Sequence, residues 1–186
     1  VAPPAPTQDE EYPMPTVPTG IPSVGYWTAK LVTTIADTAA PKLATEVNAA
    51  SSVAAECIFG KGWGGPSASY EKTKNERFCT IQSYERLGKL TYSIDDFVFA
   101  ADPQSGAGST ALNKVWDLVK DGWSGYLVLR IGKSVDTAAA VGDKVWVLPI
   151  EVGVAVPMVG ADNEDQMAKC AVSVISEVKR NVALVA

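Results

Sequence analysis

The sequence predicts a mainly β protein, a two-sheet barrel or sandwich flanked by one α-helix. This body occupies residues 24–186, behind a proline-rich arm at residues 1–23. Three observations carry the prediction. Segments rich in β-branched and aromatic residues recur along the chain, and some alternate with a period of two. Only residues 109–121 place apolar side chains in a stripe at helical spacing. Turn-forming residues punctuate the chain between these segments. Many strands with one short helix pack as a sandwich or barrel, the helix covering a side or an end.

The arm contains Pro3, Pro4, Pro6, Pro13, Pro15, Pro18 and Pro22. Proline removes a donor and fixes φ, so neither a regular helix nor an interior strand forms there. The segment reads as extended and partly polyproline-like. It is acidic and lacks the basic start and apolar stretch of a secretory leader. Two readings stand side by side. One is an unstructured tail. The other is an arm along a neighbouring subunit, anchored by Tyr12, Met14, Val17 and Ile21.

Residues 25–36 read as the first strand, and residues 37–41 as a turn. The alanine-rich stretch 42–58 fits helix or strand and is taken as strand and irregular chain. Residues 59–76 read as a long loop with a polar tip, because five glycines and prolines give way to a run of serines and charges. Long loops inside compact domains are uncommon and often bind something. Residues 77–85 read as a strand. In the next, Leu90, Tyr92 and Ile94 alternate with Lys89, Thr91 and Ser93, and the strand runs on through Phe97, Val98 and Phe99. The helix follows, with Ser109 as its cap and Leu112, Val115, Trp116 and Val119 as its stripe. Gly122 ends it. Residues 126–131 are apolar apart from Arg130, as in a strand covered on both faces. Residues 144–156 read as a long strand bent near Pro149. Residues 167–185 close the chain as one or two strands, with Cys170, Val172, Val174 and Val178 on one face.

Composition narrows the function. The formal net charge is −5 and no Lys/Arg block occurs, so tight nucleic-acid binding is not expected. An acidic protein can still handle DNA by repelling it. No apolar run approaches the roughly 18 residues of a membrane span. Cys57, Cys79 and Cys170 are widely spaced and form no C-x-x-C pair, which reads as buried free thiols in a reducing compartment. Histidine is absent, which removes Ser-His-Asp and Cys-His chemistry from the chain.

The remaining motifs carry little chemistry. The glycine-rich stretch 60–65 lacks the order of a phosphate loop. Asp95 and Asp96 are adjacent on a strand end, where neighbours point to opposite faces and share no proton or metal. The acidic stretch 162–165 lacks the spacing of a calcium loop. Lys72, Lys74 and Arg77 alternate with Glu71 and Glu76, a pattern suited to salt contacts between subunits. No catalytic, metal or cofactor residue is assigned.

The order of features from Tyr26 onward resembles the major tail (tail-tube) proteins of long-tailed bacteriophages, most of all those of actinobacterial hosts. The resemblance lies in Ala40-Pro41-Lys42-Leu43-Ala44-Thr45-Glu46-Val47-Asn48-Ala49, Arg77-Phe78-Cys79, Asp102-Pro103-Gln104, and Trp116 followed by Gly122-Trp123-Ser124-Gly125-Tyr126-Leu127-Val128-Leu129. The arginine at position 130 and the turn Gly142-Asp143-Lys144-Val145 complete it. It implies six subunits joined through their inner sheets into a ring, rings stacked into a tube, and DNA passing through at ejection. It implies a place in the virion tail after assembly in the host cytoplasm, and tape-measure, tail-terminator and distal tail proteins as partners. Residues 59–76 then contact the adjacent ring through Trp63, Tyr70, Glu71, Lys72, Lys74, Glu76 and Arg77. Asp95, Asp96, Glu151 and Glu177 are candidate acids for a DNA-repelling lumen. Other classes weighed are a head-decoration or connector protein, a sandwich-type binding module presenting Trp63 or Trp123, and, weakest, an enzyme.

Overall fold

The computed structural model describes residues 20–21, 25–56, 58–59, 63–75, 79, 84–105, 113–159 and 165–186. Within them the chain is mainly strand, as predicted. The strands are β1 (Trp27–Val32), β2 (Val53–Ala54), β3 (Pro66–Asn75), β4 (Tyr84–Ile94), β5 (Phe97–Ala100), β6 (Trp123–Ile131), β7 (Lys144–Val152), β8 (Val156–Met158), β9 (Met167–Cys170), β10 (Val172–Val174) and β11 (Lys179–Ala183). The helix α1 (Asn113–Val119) lies between β5 and β6.

The strands form a six-stranded sheet, a three-stranded sheet and a two-stranded hairpin. The first runs β10-β7-β6-β1-β2, with β11 also on β7; the second runs β5-β9-β8; the hairpin is β3-β4. No barrel closes among the described residues. Two sheets face each other as a sandwich, and the hairpin is a third unit leaving it. The main core joins Ala29, Leu31, Leu127, Leu129, Leu148 and Ile150 of the larger sheet to Phe97, Phe99 and Ala168 of the smaller, with Val115 and Val119 of α1.

A second core covers the opposite face. Val32, Val128, Val145 and Val147 lie there beneath Ile35, Val47 and Leu184. Strand β6 therefore has one apolar set, Leu127 and Leu129, in the main core and Val128 in the second. This accounts for its near-continuous apolar sequence.

Pro149 interrupts no ladder. Strand β7 pairs with β6 along one edge, while its other edge is shared by β10, opposite residues 150–152, and β11, opposite residues 144–147. Proline, which cannot donate, sits in the gap between them. Its carbonyl accepts from Ile175 N at 3.1 Å.

Several boundaries depart from the sequence reading. The stretch 59–76 is not all loop: residues 66–75 are strand β3, paired along their length with β4. Of the predicted strand 77–85, Cys79 lies in a turn and Tyr84 and Glu85 open the long β4, while residues 77–78 and 80–83 lie outside the described residues. Leu90, Tyr92 and Ile94 do turn inward, but the strand stops at Ile94; after Asp95 and Asp96 the chain enters the other sheet as β5. The predicted strand 144–156 likewise divides between sheets, β7 ending at Val152. Among the described residues of 42–58 there is a π-helical turn at Leu43–Val47 and a strand of two residues, Val53–Ala54. Glu46 holds that turn, its carboxylate accepting from Ala36 N at 2.9 Å and Lys42 N at 2.7 Å. Residues 167–185 form three short strands, and Cys170, Val172, Val174 and Val178 do share the main core.

The helix ends at Val119 rather than at residue 121; Ser109 and Leu112 lie outside the described residues. Gly122 ends it at φ 86°, a conformation that favours glycine. Asn113 is buried and clamps the preceding turn, with Oδ1 accepting from Asp102 N and Nδ2 donating to Asp102 O, both at 2.8 Å. Gly125 is required for another reason. A Cβ there would stand 2.7 Å from Val32 O and still nearer the Trp123 ring, which lies across it. The thiol reading is half right. Cys170 is buried and its pKa is pushed up to about 12 by burial and by Asp96, but Cys79 is exposed; Cys57 lies outside the described residues.

Candidate assembly surfaces and the aromatic cleft

Among the described residues the hairpin is the longest exposed stretch. Its ladder runs from Pro66 opposite Ile94 to Asn75 opposite Tyr84. Near the base, Tyr92 and Ile94 reach into the main core. Beyond it, residues 67–74 and 84–89 are all exposed. The register slips between Tyr70 and Lys72, where β4 carries an extra residue around Gly88. A Cβ on Gly88 would stand 3.2 Å from Glu71 O, so glycine suits this bulge. The slip keeps Tyr70, Leu90, Lys72, Leu87, Lys74 and Glu85 on one face, since paired residues share a face. Lys72 Nζ lies 3.2 Å from Glu85 Oε2 on that face. Tyr70 and Leu87 remain 46% and 67% exposed, large apolar groups that nothing among the described residues covers.

A second open apolar surface is β8, which among the described residues pairs with β9 alone. Val154, Val156, Met158 and Val159 are exposed along and beside it. An unpaired apolar edge is a template for another chain.

A third feature is a cleft of about 290 Å³ at the hairpin base, lined by Trp27, Ala29, Glu56, Phe59, Trp63, Gly64 and Gly65. The Phe59 and Trp63 rings lie 4.7 Å apart, and Phe59 stacks in turn on Phe97 at 4.8 Å. Gly65 holds φ 75°, turning the chain from the cleft wall into β3. Glu56 Oε2 and Trp63 Nε1 are buried and have no hydrogen-bond partner among the described residues. Lys30 does not fill that role: its Nζ bonds Val47 O at 3.4 Å and Asn48 Oδ1. Burial lowers the pKa of Lys30, with the Glu56 charge opposing.

One buried ionic cluster organises the larger sheet. Arg130 and Asp143 are only 5% and 6% exposed. Arg130 Nη1 donates to Asp143 Oδ2 at 3.1 Å, and Nη2 donates to Ser134 O at 3.2 Å and Thr137 O at 2.6 Å. Lys133 Nζ donates to Asp143 Oδ1, and Ala140 N to Oδ2 at 3.2 Å. The guanidinium thereby staples the connection between β6 and β7. In the sequence Arg130 stands as an interruption in an apolar run and as part of the family resemblance, with no partner indicated. The available signal was that a charge in a doubly covered strand needs a buried partner.

The predicted site residues are dispersed. Ile21 is exposed and near Gly132; Tyr12, Met14 and Val17 lie outside the described residues, as do Glu76 and Arg77. Trp63 is half-buried in the cleft wall, whereas Tyr70, Glu71, Lys72 and Lys74 are on the hairpin. The four acids share no single face. Asp95 lies against Gly64 at the cleft rim, and Asp96 Oδ2 is 3.0 Å from Lys169 Nζ on the smaller sheet. Glu177 pairs with Lys179 at 2.7 Å in the connection from β10 to β11. Glu151 stands exposed on β7, between Ser124 and Ser173 of the flanking strands.

A β-sandwich with a projecting ribbon and an open apolar edge defines a class: a subunit built to be covered by other chains. Comparison with protein families makes the class specific. Residues 14–186 match the phage tail tube protein model, so the chain belongs to the phage tail tube protein family and is a structural subunit of a phage tail. Among solved structures, a chain of the anti-feeding prophage baseplate, determined by cryo-EM with 6-fold symmetrisation, is similar over 89% of this chain and 96% of that one, at 10% identity and a TM-score of 0.47. The comparison with curated proteins finds no match.

Proposed function

We propose that the protein assembles into hexameric rings that stack into the tube through which the phage genome is delivered. The observation that carries this is the hairpin. Its outer half packs on nothing in its own chain among the described residues, yet it presents Tyr70 and Leu87. A two-stranded ribbon alone is marginally stable in water, so a neighbour that buries it stabilises it. The ribbon then reaches the adjacent ring, the β8 edge offers pairing within a ring, and the proline-rich arm lies along a neighbour through Tyr12, Met14, Val17 and Ile21. Tape-measure, tail-terminator and distal tail proteins meet the tube inside and at its ends. Purified protein at high concentration is expected to show stacked-ring tubes by negative-stain microscopy. A protein that stays monomeric there and is absent from virion tails overturns the reading.

The lumen is proposed to take in the end of the larger sheet that the second core leaves open, where Ser124, Glu151 and Ser173 lie. Glu151 is exposed and has no ion pair among the described residues, so its charge is free to repel phosphate. Tubes of Glu151→Lys are expected to retain DNA at low salt that wild-type tubes release, and to lose it as salt rises. A filter-binding titration against salt reads this. Equal retention by both tubes removes Glu151 from the lumen.

A further inference from the structure

We infer that the chain cross-links itself, Lys30 forming an isopeptide bond to Asn48 with Glu56 as the proton carrier. The inference concerns a single copy of the chain and does not rest on the tube reading.

Lys30 lies on β1, on the face of the larger sheet beneath the second core. It is paired with Val128 of β6, and Val32 follows it on the same face. The side chain therefore starts among apolar neighbours, and its amine ends at the π-helical turn. Nζ donates to Val47 O at 3.4 Å and to Asn48 Oδ1 at 2.5 Å. Asn48 closes that turn through its backbone, N donating to Leu43 O at 2.8 Å. Its carboxamide oxygen is turned to the lysine instead. A carbonyl carbon lies about 1.2 Å from its oxygen, so Nζ is within about 3.7 Å of Asn48 Cγ. That is close to the roughly 3–3.5 Å of reactants held for attack, where a bimolecular step becomes an intramolecular one.

The attack needs a neutral amine. Burial lowers the pKa of Lys30, the Glu56 charge opposing and the Arg130 charge assisting. The same coupling shows that Glu56 is near enough to act on the amine. Ala54 is paired with Lys30, and Ala55 N donates to Ala29 O at 2.8 Å, which sets Glu56 beside β1. As Nζ bonds to Cγ, the Glu56 carboxylate takes a proton from the nitrogen. It returns that proton to Nδ2 as the Cγ–Nδ2 bond breaks, and ammonia leaves. Nothing is oxidised or reduced, and no co-reactant is consumed. Asn48 is exposed, which gives ammonia a way out. The product ties β1 to the π-helical turn through one covalent loop. Lys133 and Asp143 make a similar contact without this outcome. The lowered pKa of Asp143 keeps its carboxylate charged, and an anion is not attacked by an amine.

The test is the intact mass of the purified full-length chain, followed by tryptic mapping. The wild-type chain is expected to be lighter than its sequence mass by one ammonia. Trypsin should fail to cut after Lys30 and should yield one branched peptide joining Lys30 to Asn48. Lys30→Arg and Asn48→Ala should each restore the full mass, and Glu56→Gln should slow the loss at least tenfold. A succinimide at an asparagine sheds the same mass but leaves Lys30 cleavable, so the map separates the two. A wild-type chain of full sequence mass overturns the inference, as does a loss that persists in Lys30→Arg. Undiminished cross-linking by Glu56→Gln overturns the role of Glu56. The wild-type mass decides the bond by itself, so a variant that fails to fold leaves the test standing.

Discussion

Replacing Arg130 by methionine is expected to lower the unfolding free energy by about 3–5 kcal/mol, the cost typical of removing one partner from a buried ion pair. Methionine fills similar volume, so a cavity is not the cause. Asp143 would stay buried with one charged neighbour fewer, and Ser134 O and Thr137 O would lose their donors. Arg130→Lys is no remedy, because one ammonium cannot span three acceptors as the planar fork does. Urea denaturation of the soluble subunit reads the change. A loss below about 1 kcal/mol, the range of surface pairs, means the staple does not support the fold.

The same cluster sets an acid limit. Asp143 has its pKa lowered by the bond from Lys133, against burial, with help from Ala140 N–H and Arg130. A carboxyl group whose folded-state pKa lies below its unfolded one stabilises the fold above the ordinary aspartate value of about 3.9. That contribution disappears as pH falls through the folded value. The staple's stability is therefore expected to be level from neutral pH to about 4 and to decline below it. Asp143→Asn should flatten that decline.

The legible parts of the fold were those where one segment carries its own signal. The alternation from Lys89 to Ile94 and the stripe of Val115, Trp116 and Val119 each encode an inward face by spacing alone; Ile94, Val115 and Val119 are buried, and Tyr92 and Trp116 pack half-buried against the core. Strand β3 gives no such signal. Ser67, Ser69, Glu71 and Thr73 alternate with Ala68, Tyr70, Lys72 and Lys74, but both sets are exposed, so neither face is consistently apolar. What makes it a strand is the ladder to β4, and a partner is invisible in a single segment. The sheet change at Asp95 and Asp96 was hidden for the converse reason, since apolar residues continue on both sides of it. Of the candidate surfaces, the sequence shows the polar, charged character of the stretch 71–74, which is exposed, and the aromatic at position 63 beside glycines, which lines the cleft. Glu56 is not legible in this way, because a glutamate in an alanine-rich stretch reads as solvated. Its burial depends on Trp27 and Gly65, distant in sequence and brought together by the fold.

The second large effect is expected from shortening the ribbon. Tyr70 and Leu90 are paired, so residues 71–89 can be replaced by Asn-Gly, a dipeptide suited to a two-residue hairpin turn. The remaining base keeps Tyr92 and Ile94 in the core, and the deleted half adds nothing to it. The subunit should unfold within about 1 kcal/mol of wild type, as for other surface changes. Tube formation should be lost. Leu87 alone offers about 1.5–3 kcal/mol if a neighbouring copy buries it fully, and Tyr70 adds to this. In a closed ring every subunit makes the same contact, so a modest loss per copy is multiplied around each stacking interface. Single rings that no longer stack would place the ribbon between rings. Monomers would place it within the ring, and undiminished tubes would show that its exposed face serves neither contact.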